Sequence, residues 1–217
     1  LTLAITNTLG SSVASAARHS IEYETRQACG PCISVISTRI LLQTMIALAV
    51  AARRDVESSQ VVATTLPSVV DASRTFLDQH ESRIWELARQ HRGAESFMLV
   101  GSGPNYFSAR EGTLKIEEQA VLVAKAYRTG DFHHDALSLV APSRVVIGIE
   151  AAGSANERVV DALRAAREGE SPTIAVTWSG GAGASELAQV ADAQLAIAGG
   201  LPEIIAPIPM TLVFQLL

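Results

Sequence analysis

Short runs of apolar residues alternate along the chain with longer stretches in which apolar and polar positions recur every three or four residues. The short runs predict strands at 1–6 (LTLAIT), 20–25 (SIEYET), 96–102 (SFMLVGS), 144–150 (RVVIGIE), 173–178 (TIAVTW) and 193–198 (AQLAIA). The longer patterns predict helices over 37–53, 66–79, 81–92, 106–125, 154–168 and 203–217. Several of the strands are apolar at consecutive positions and bounded by Gly or Ser, as strands buried on both faces are. The alternation predicts a doubly wound α/β fold with parallel sheets. Region 55–92 breaks the rhythm with two helical patterns and no strand. It reads as a helical connector between residues 1–54 and a second α/β lobe, 93–217.

Composition narrows the function classes. The chain has 217 residues, 48% of them hydrophobic and 18% charged, which is a globular composition. The net charge is −5, and the arginines are scattered singly, so no basic footprint of a nucleic-acid binder is present. The longest apolar run, 40–52, is interrupted by Gln43 and falls short of the roughly 20 residues of a membrane span. No signal peptide is evident, and the expectation is a cytoplasmic protein with reduced thiols. The sequence begins directly in a strand and stops inside an apolar helical run, so it reads as a portion of a longer protein.

The motif ACGPC places Cys29 and Cys32 in a C-G-P-C order found in thiol oxidoreductases. No thioredoxin-sized unit surrounds it, and no second Cys pair is present to complete a zinc site. Gly-Pro is also an ordinary turn, and the turn reading is preferred. No metal and no cofactor are expected. The Gly-rich segments 100–112 and 178–185 follow strands, where backbone N–H groups can hold phosphate, but neither is a dinucleotide fingerprint or a P-loop.

The stretch EGTLKIEEQA is more informative. The chain has only two lysines, Lys115 and Lys125, against fifteen arginines. Glu111, Lys115, Glu118 and Leu122 are spaced 4, 3 and 4, so a continuous helix would align carboxylate, ammonium and carboxylate on one face. An ion-pair ladder worth a few tenths of a kcal/mol is the bland explanation. Arginine would serve a ladder equally well, whereas lysine is compact and can meet a carbonyl. His133 and His134 follow in GDFHHDALSL, and a histidine suits proton transfer to a sugar ring oxygen.

Taken in order, these segments resemble the SIS (sugar isomerase) family, most closely the isomerase half of glutamine–fructose-6-phosphate aminotransferases. AREGTLKIEEQAVLVAKAYRTGDFHHDALSLV is similar to that family's LEGALKLKE…AEAY..GE.KHGPLALI. SVISTRILLQ (34–43) is similar to GVASTKAFTTQ, ITNTLGSS (5–12) to ICN.PGSS, and PEIIAPIPMTLVFQLL (202–217) to EEVIAPI…PLQLL. The resemblance implies two SIS lobes, each a parallel sheet sandwiched by helices, the first incomplete in this chain, in a homodimer. It implies a sugar phosphate or amino-sugar phosphate as ligand, and proton transfer between C1 and C2 through an enediol or enamine. Glu118 would shuttle that proton, Lys115 would stand near the reacting carbonyl, and His134 would help open the ring from across the dimer interface. Val35, Ser37 and Glu111 would contact substrate. Burial should raise the pKa of Glu118, and Lys115 should oppose that rise.

The chain also departs from the pattern. Cys32 replaces an acidic residue, Ile36 an Ala and Arg39 a Lys, and HHDA stands for KHGP. The Ser-rich phosphate loop, expected before residue 1, and the C-terminal tail, expected after 217, are not in the sequence. Two rivals therefore stand beside the isomerase, aminotransferase or deglycase reading: a non-catalytic phosphosugar-sensing module, and a thiol oxidoreductase using Cys29 and Cys32.

Overall fold

A computed structural model describes residues 1–25, 33–54, 58–151 and 154–217, so Cys29 and Cys32 lie outside the described residues. The chain forms two compact units, Leu1–Asp55 and Val56–Leu217.

In the first unit, β1 (Leu3–Thr6) and β2 (His19–Glu22) pair in parallel, with Leu3 opposite His19. The short helix α1 (Ser12–Ala16) joins them, its first turn capped by the Ser11 hydroxyl, which accepts from the Ala14 N–H at 3.3 Å. Helix α2 (Ile33–Ala52) follows. It begins four residues before the predicted start at 37. By length and composition its Ser34–Ala52 stretch is long and apolar enough to cross a membrane, with mean hydropathy 1.8. The apolar run 40–52 alone did not reach that measure. A core helix of a soluble protein can reach it too.

The second unit opens with α3 (Ser58–Thr65) and α4 (Ser68–Gln90). Predicted as two helices, 66–79 and 81–92, α4 is one. Its buried Val69, Ala72, Phe76, Ile84 and Leu87 form a stripe at three- and four-residue spacing. The polar gap at Gln79 and His80 does not break it, because the His80 ring packs on Phe76 (centroids 5.0 Å apart) and its Nε2 donates to the Ala196 carbonyl at 2.9 Å.

Five parallel strands follow: β3 (Ser96–Gly101), β4 (Val123–Arg128), β5 (Arg144–Ile149), β6 (Thr173–Trp178) and β7 (Ala193–Ile197), in spatial order β4-β3-β5-β6-β7. Between them lie α5 (Pro104–Lys115), the three-residue α6 (Thr129–Asp131), α7 (Ser154–Glu168) and α8 (Ala184–Val190), with α9 (Pro207–Leu216) at the end. Phe97 and Leu99 of β3 face a core shared with α4, α5 and α9. Met98 and Val100 face the opposite core, with α7, Tyr127 and Phe132. Each strand thus feeds both layers, which is the doubly wound arrangement expected. Winding reverses between β3 and β5, and folds of this kind place ligands at the carboxyl ends of the strands beside that reversal.

The predicted helix 106–125 is corrected. It leaves α geometry after Lys115, makes a π-helical turn over Ile116–Ala120 and stops at Val121 in left-handed conformation, φ 55°. Residues 123–128 are then an edge strand. Val123, Lys125 and Arg128 are exposed, while Ala124 is buried in the core with Phe97 and Leu99 and Tyr127 in the opposite one, a three-residue spacing of buried positions that a helical reading fits equally well.

Candidate functional site

Helix α5 is set tightly against its surroundings. At Gly112 an added Cβ would lie 2.6 Å from Leu99 on one side and 2.6 Å from Phe214 of α9 on the other, so only glycine permits this approach. That packing fixes which way the flanking residues face. Lys115 is only 4% exposed; its Nζ donates to Glu118 Oε2 at 2.8 Å and lies 3.6 Å from Glu111 Oε1. The i,i+4 and i,i+3 spacings deliver this clamp as the helical pattern predicted. Burial disfavours the Lys115 charge, but the hydrogen bond it donates to Glu118 and the charges of Glu111 and Glu118 outweigh it, so its pKa is raised above the usual 10.5. Lys115 is therefore a held ammonium, a donor and a positive charge, and not a free amine.

Two features of the clamp differ from expectation. Leu122 does not extend the line, because the π turn and Val121 end the helix first. Glu118 is not buried: its side chain is 41% exposed, so its carboxylate is open to an incoming molecule. Val121, three residues on, is a β-branched residue in the left-handed region, a conformation that costs of the order of 1–3 kcal/mol and clusters at functional sites. Its side chain is 85% exposed and recovers nothing by packing.

His134 is not brought to this clamp. It is exposed on the turn Phe132–Ala136, whose buried Phe132 and Ala136 belong to the core on the face opposite α5. Within one chain the sheet lies between the segments carrying Glu118 and His134. His133 stands edge-on to Phe132, with centroids 6.1 Å apart. Val35 and Ser37 lie in the first turns of α2 in the other unit, Val35 buried and Ser37 half-buried. The second lysine, Lys125, is exposed on β4 with its Nζ 4.7 Å from the Tyr127 ring centroid, a surface cation–π contact.

Sequence reasoning missed a second feature. At the carboxyl ends of β3, β5 and β6 lies a cavity of about 460 Å³, lined in part by Asn105, Glu150, Asn156 and Trp178. Glu150, 4% exposed, follows β5; its Oε2 accepts from the Trp178 N–H at 2.7 Å and its Oε1 from the Gly183 N–H at 3.2 Å. Asn105 donates from Nδ2 to the Glu150 carbonyl at 2.8 Å. Side chains at Gly181 and Gly183 would collide with Glu150 and Asn156 respectively. The signal was a glutamate ending an otherwise apolar strand, VVIGIE, followed by glycines one strand later.

Comparison with known proteins agrees with the sequence resemblance. The SIS domain family matches residues 92–217, and the chain belongs to that family. A glutamine–fructose-6-phosphate aminotransferase [isomerizing] of Methanosarcina acetivorans is 29% identical over 224 residues, covering 100% of this chain and 35% of that protein. Across the curated relatives compared, the aligned region spans from 17% to 35% of their length. Among solved structures, the C-terminal domain of glucosamine-fructose-6-phosphate aminotransferase from Francisella tularensis shares the fold at TM-score 0.84 and 17% identity, covering 99% of this chain and 60% of that one. The sugar isomerase domain of an RpiR transcription factor from Sphaerobacter thermophilus shares it at TM-score 0.58 and 21% identity, covering 72% and 87%.

Proposed function

We propose that the chain is the isomerase-type portion of an enzyme acting on a phosphosugar or amino-sugar phosphate by proton transfer between C1 and C2. The observation that carries this reading is the Lys115–Glu118 pair: a 4%-exposed ammonium hydrogen-bonded at 2.8 Å to a carboxylate that is itself open to solvent. Moving a proton between adjacent carbons needs one base that reaches both and a positive charge where the enediolate oxygen develops. Glu118 is the base in this reading. Lys115 stabilises the oxyanion, and Glu111 keeps Lys115 charged and in place. Val35 and Ser37 contact the substrate. Because the sheet separates His134 from Glu118 within a chain, His134 serves the ring-opening step of a partner's site in a homodimer. The reading needs no metal or cofactor and places the protein in the cytoplasm, without nucleic acid or membrane.

A second reading, a sugar-sensing module, is supported by the likeness to a sugar isomerase domain within a transcription factor. The two are separated by incubating the full chain in D₂O with ketose and amino-sugar 6-phosphates and following the C1 and C2 protons by NMR. The enzyme reading expects exchange that falls about 10²- to 10⁴-fold in Glu118→Gln. Saturable thermal stabilisation by a sugar phosphate with no exchange would replace it with the sensor.

A further inference from the structure

We infer that Val121 is a positioning residue for Glu118: held in the left-handed region, it keeps the π-helical turn in the arrangement that sets the Glu118 carboxylate on the Lys115 ammonium. The inference rests on the role proposed above for that pair. Packing places Lys115, which is buried together with its neighbours on the helix, Gly112 and Ile116. Packing does not place Glu118, because Glu117, Glu118, Gln119, Ala120 and Val121 are all exposed. Apart from the bond to Lys115 itself, the backbone decides where this carboxylate points.

That backbone is anchored at both ends. Gly112 lies close against Leu99 and Phe214, and Val123 pairs in register with Ser96 of β3. Residues 113–122 between them turn a helix into a strand. They leave α geometry after Lys115, take the wider π turn over Ile116–Ala120 and reverse at Val121, φ 55°. Single π turns of this kind are frequent at functional sites. A left-handed residue at a helix end is usually Gly, sometimes Asn. Valine, branched at Cβ, is poorly suited to that conformation, and at 85% exposure its side chain gains nothing from packing. What it does is narrow the backbone. A β-branched residue has a small left-handed basin, whereas glycine ranges over the whole positive-φ region. Valine therefore permits one reversal where glycine would permit several, and the π turn before it, with Glu118 at its centre, is held with it.

The test uses the scarcity of lysine. The chain has two, and Lys125 is exposed, so protein carrying ¹⁵N-labelled lysine shows the buried Lys115 ammonium as a signal of its own. The rate at which its protons exchange with water reports on the clamp without any substrate. Val121→Gly should raise that rate about tenfold, as expected when a charge-assisted hydrogen bond is partly lost, without lowering Tm. Val121→Asn, which tolerates the left-handed region without glycine's freedom, should stay close to the unaltered protein. With a sugar phosphate as substrate, Val121→Gly should lower kcat about tenfold at unchanged KM, and Val121→Asn should restore it. An unchanged Lys115 rate in Val121→Gly, or equal acceleration in Val121→Asn, would overturn the inference. Acceleration in the glycine variant alone, in a protein that moves no C1 or C2 proton, would uphold the positioning of Glu118 and remove the proposed reaction instead.

Discussion

The Lys115 clamp and the Glu150 corner solve opposite electrostatic problems in different ways. At the clamp a buried cation is held by two carboxylates, so every contact is made by side chains and the outer partner, Glu118, stays open to solvent. At the corner a buried carboxylate is held by two backbone N–H groups, with glycines leaving it room. Side-chain contacts can be remade when a substrate arrives, whereas backbone contacts move only with the sheet. The comparison separates a charge whose partners are free to move from one fixed by the backbone around a cavity.

Breaking each half tests this difference. Lys115→Ala should cost the most, about 3 kcal/mol in denaturant unfolding, because it leaves Glu111 without its cation and empties a buried site. Lys115→Met, which fills the volume but also leaves Glu111 without its cation, should cost less, about 1–2 kcal/mol, while still abolishing exchange chemistry; equal losses in both variants would show that charge, not packing, dominates. Gly183→Ala should cost about 2 kcal/mol, since its Cβ must displace Asn156, and should leave sugar-phosphate exchange unchanged; lost exchange would mean that the two sites are coupled.

Titration sharpens the clamp further. A lysine whose folded pKa lies above 10.5 contributes stability that is fully present below 10.5 and is lost as pH rises through the folded value. Unfolding followed against pH should show an alkaline decline above 10.5 that is reduced in Lys115→Met; an identical decline in both proteins would assign it to other groups. The smallest effect belongs to the exit from the clamp. Val121→Gly relieves the left-handed strain but adds freedom to the unfolded chain, for a net gain of about 0.5 kcal/mol. A loss above 1 kcal/mol would mean that the valine side chain makes contacts unseen at its 85% exposure.

The central strands were legible because burial on both faces writes them as unbroken apolar runs: 96–102, 144–150 and 173–178 each appear within a residue or two of the strand found. The edge strand β4 was not, since its exposed Val123 and Lys125 and buried Ala124 and Tyr127 also fit a helical spacing, and only the reversal at Val121 decides between them. Helix α8 is a seven-residue element with a single buried residue, Leu187, too little to write a period. At the site, Glu111, Lys115 and Glu118 could be grouped because they share one local helix. Glu150, Asn105 and Asn156 meet only through the winding of the sheet, and nothing local links them. For the same reason the separation of His134 from Glu118 could not be read from their sixteen-residue spacing; it depends on which face of the sheet each segment covers.

Gly112 bears on how such a protein can diverge. With Leu99 and Phe214 each 2.6 Å from where its side chain would begin, α5 approaches both too closely at this point for any other residue. Glu111 is its neighbour and Lys115 lies three residues on, so both inherit this close fit. A lineage descending from this chain could change the residues around an incoming molecule while the ammonium's bearing stayed the same. Sequence change would accumulate outside α5, and the ammonium with its two carboxylates would persist as the unvarying part of the inheritance until Gly112 itself was lost.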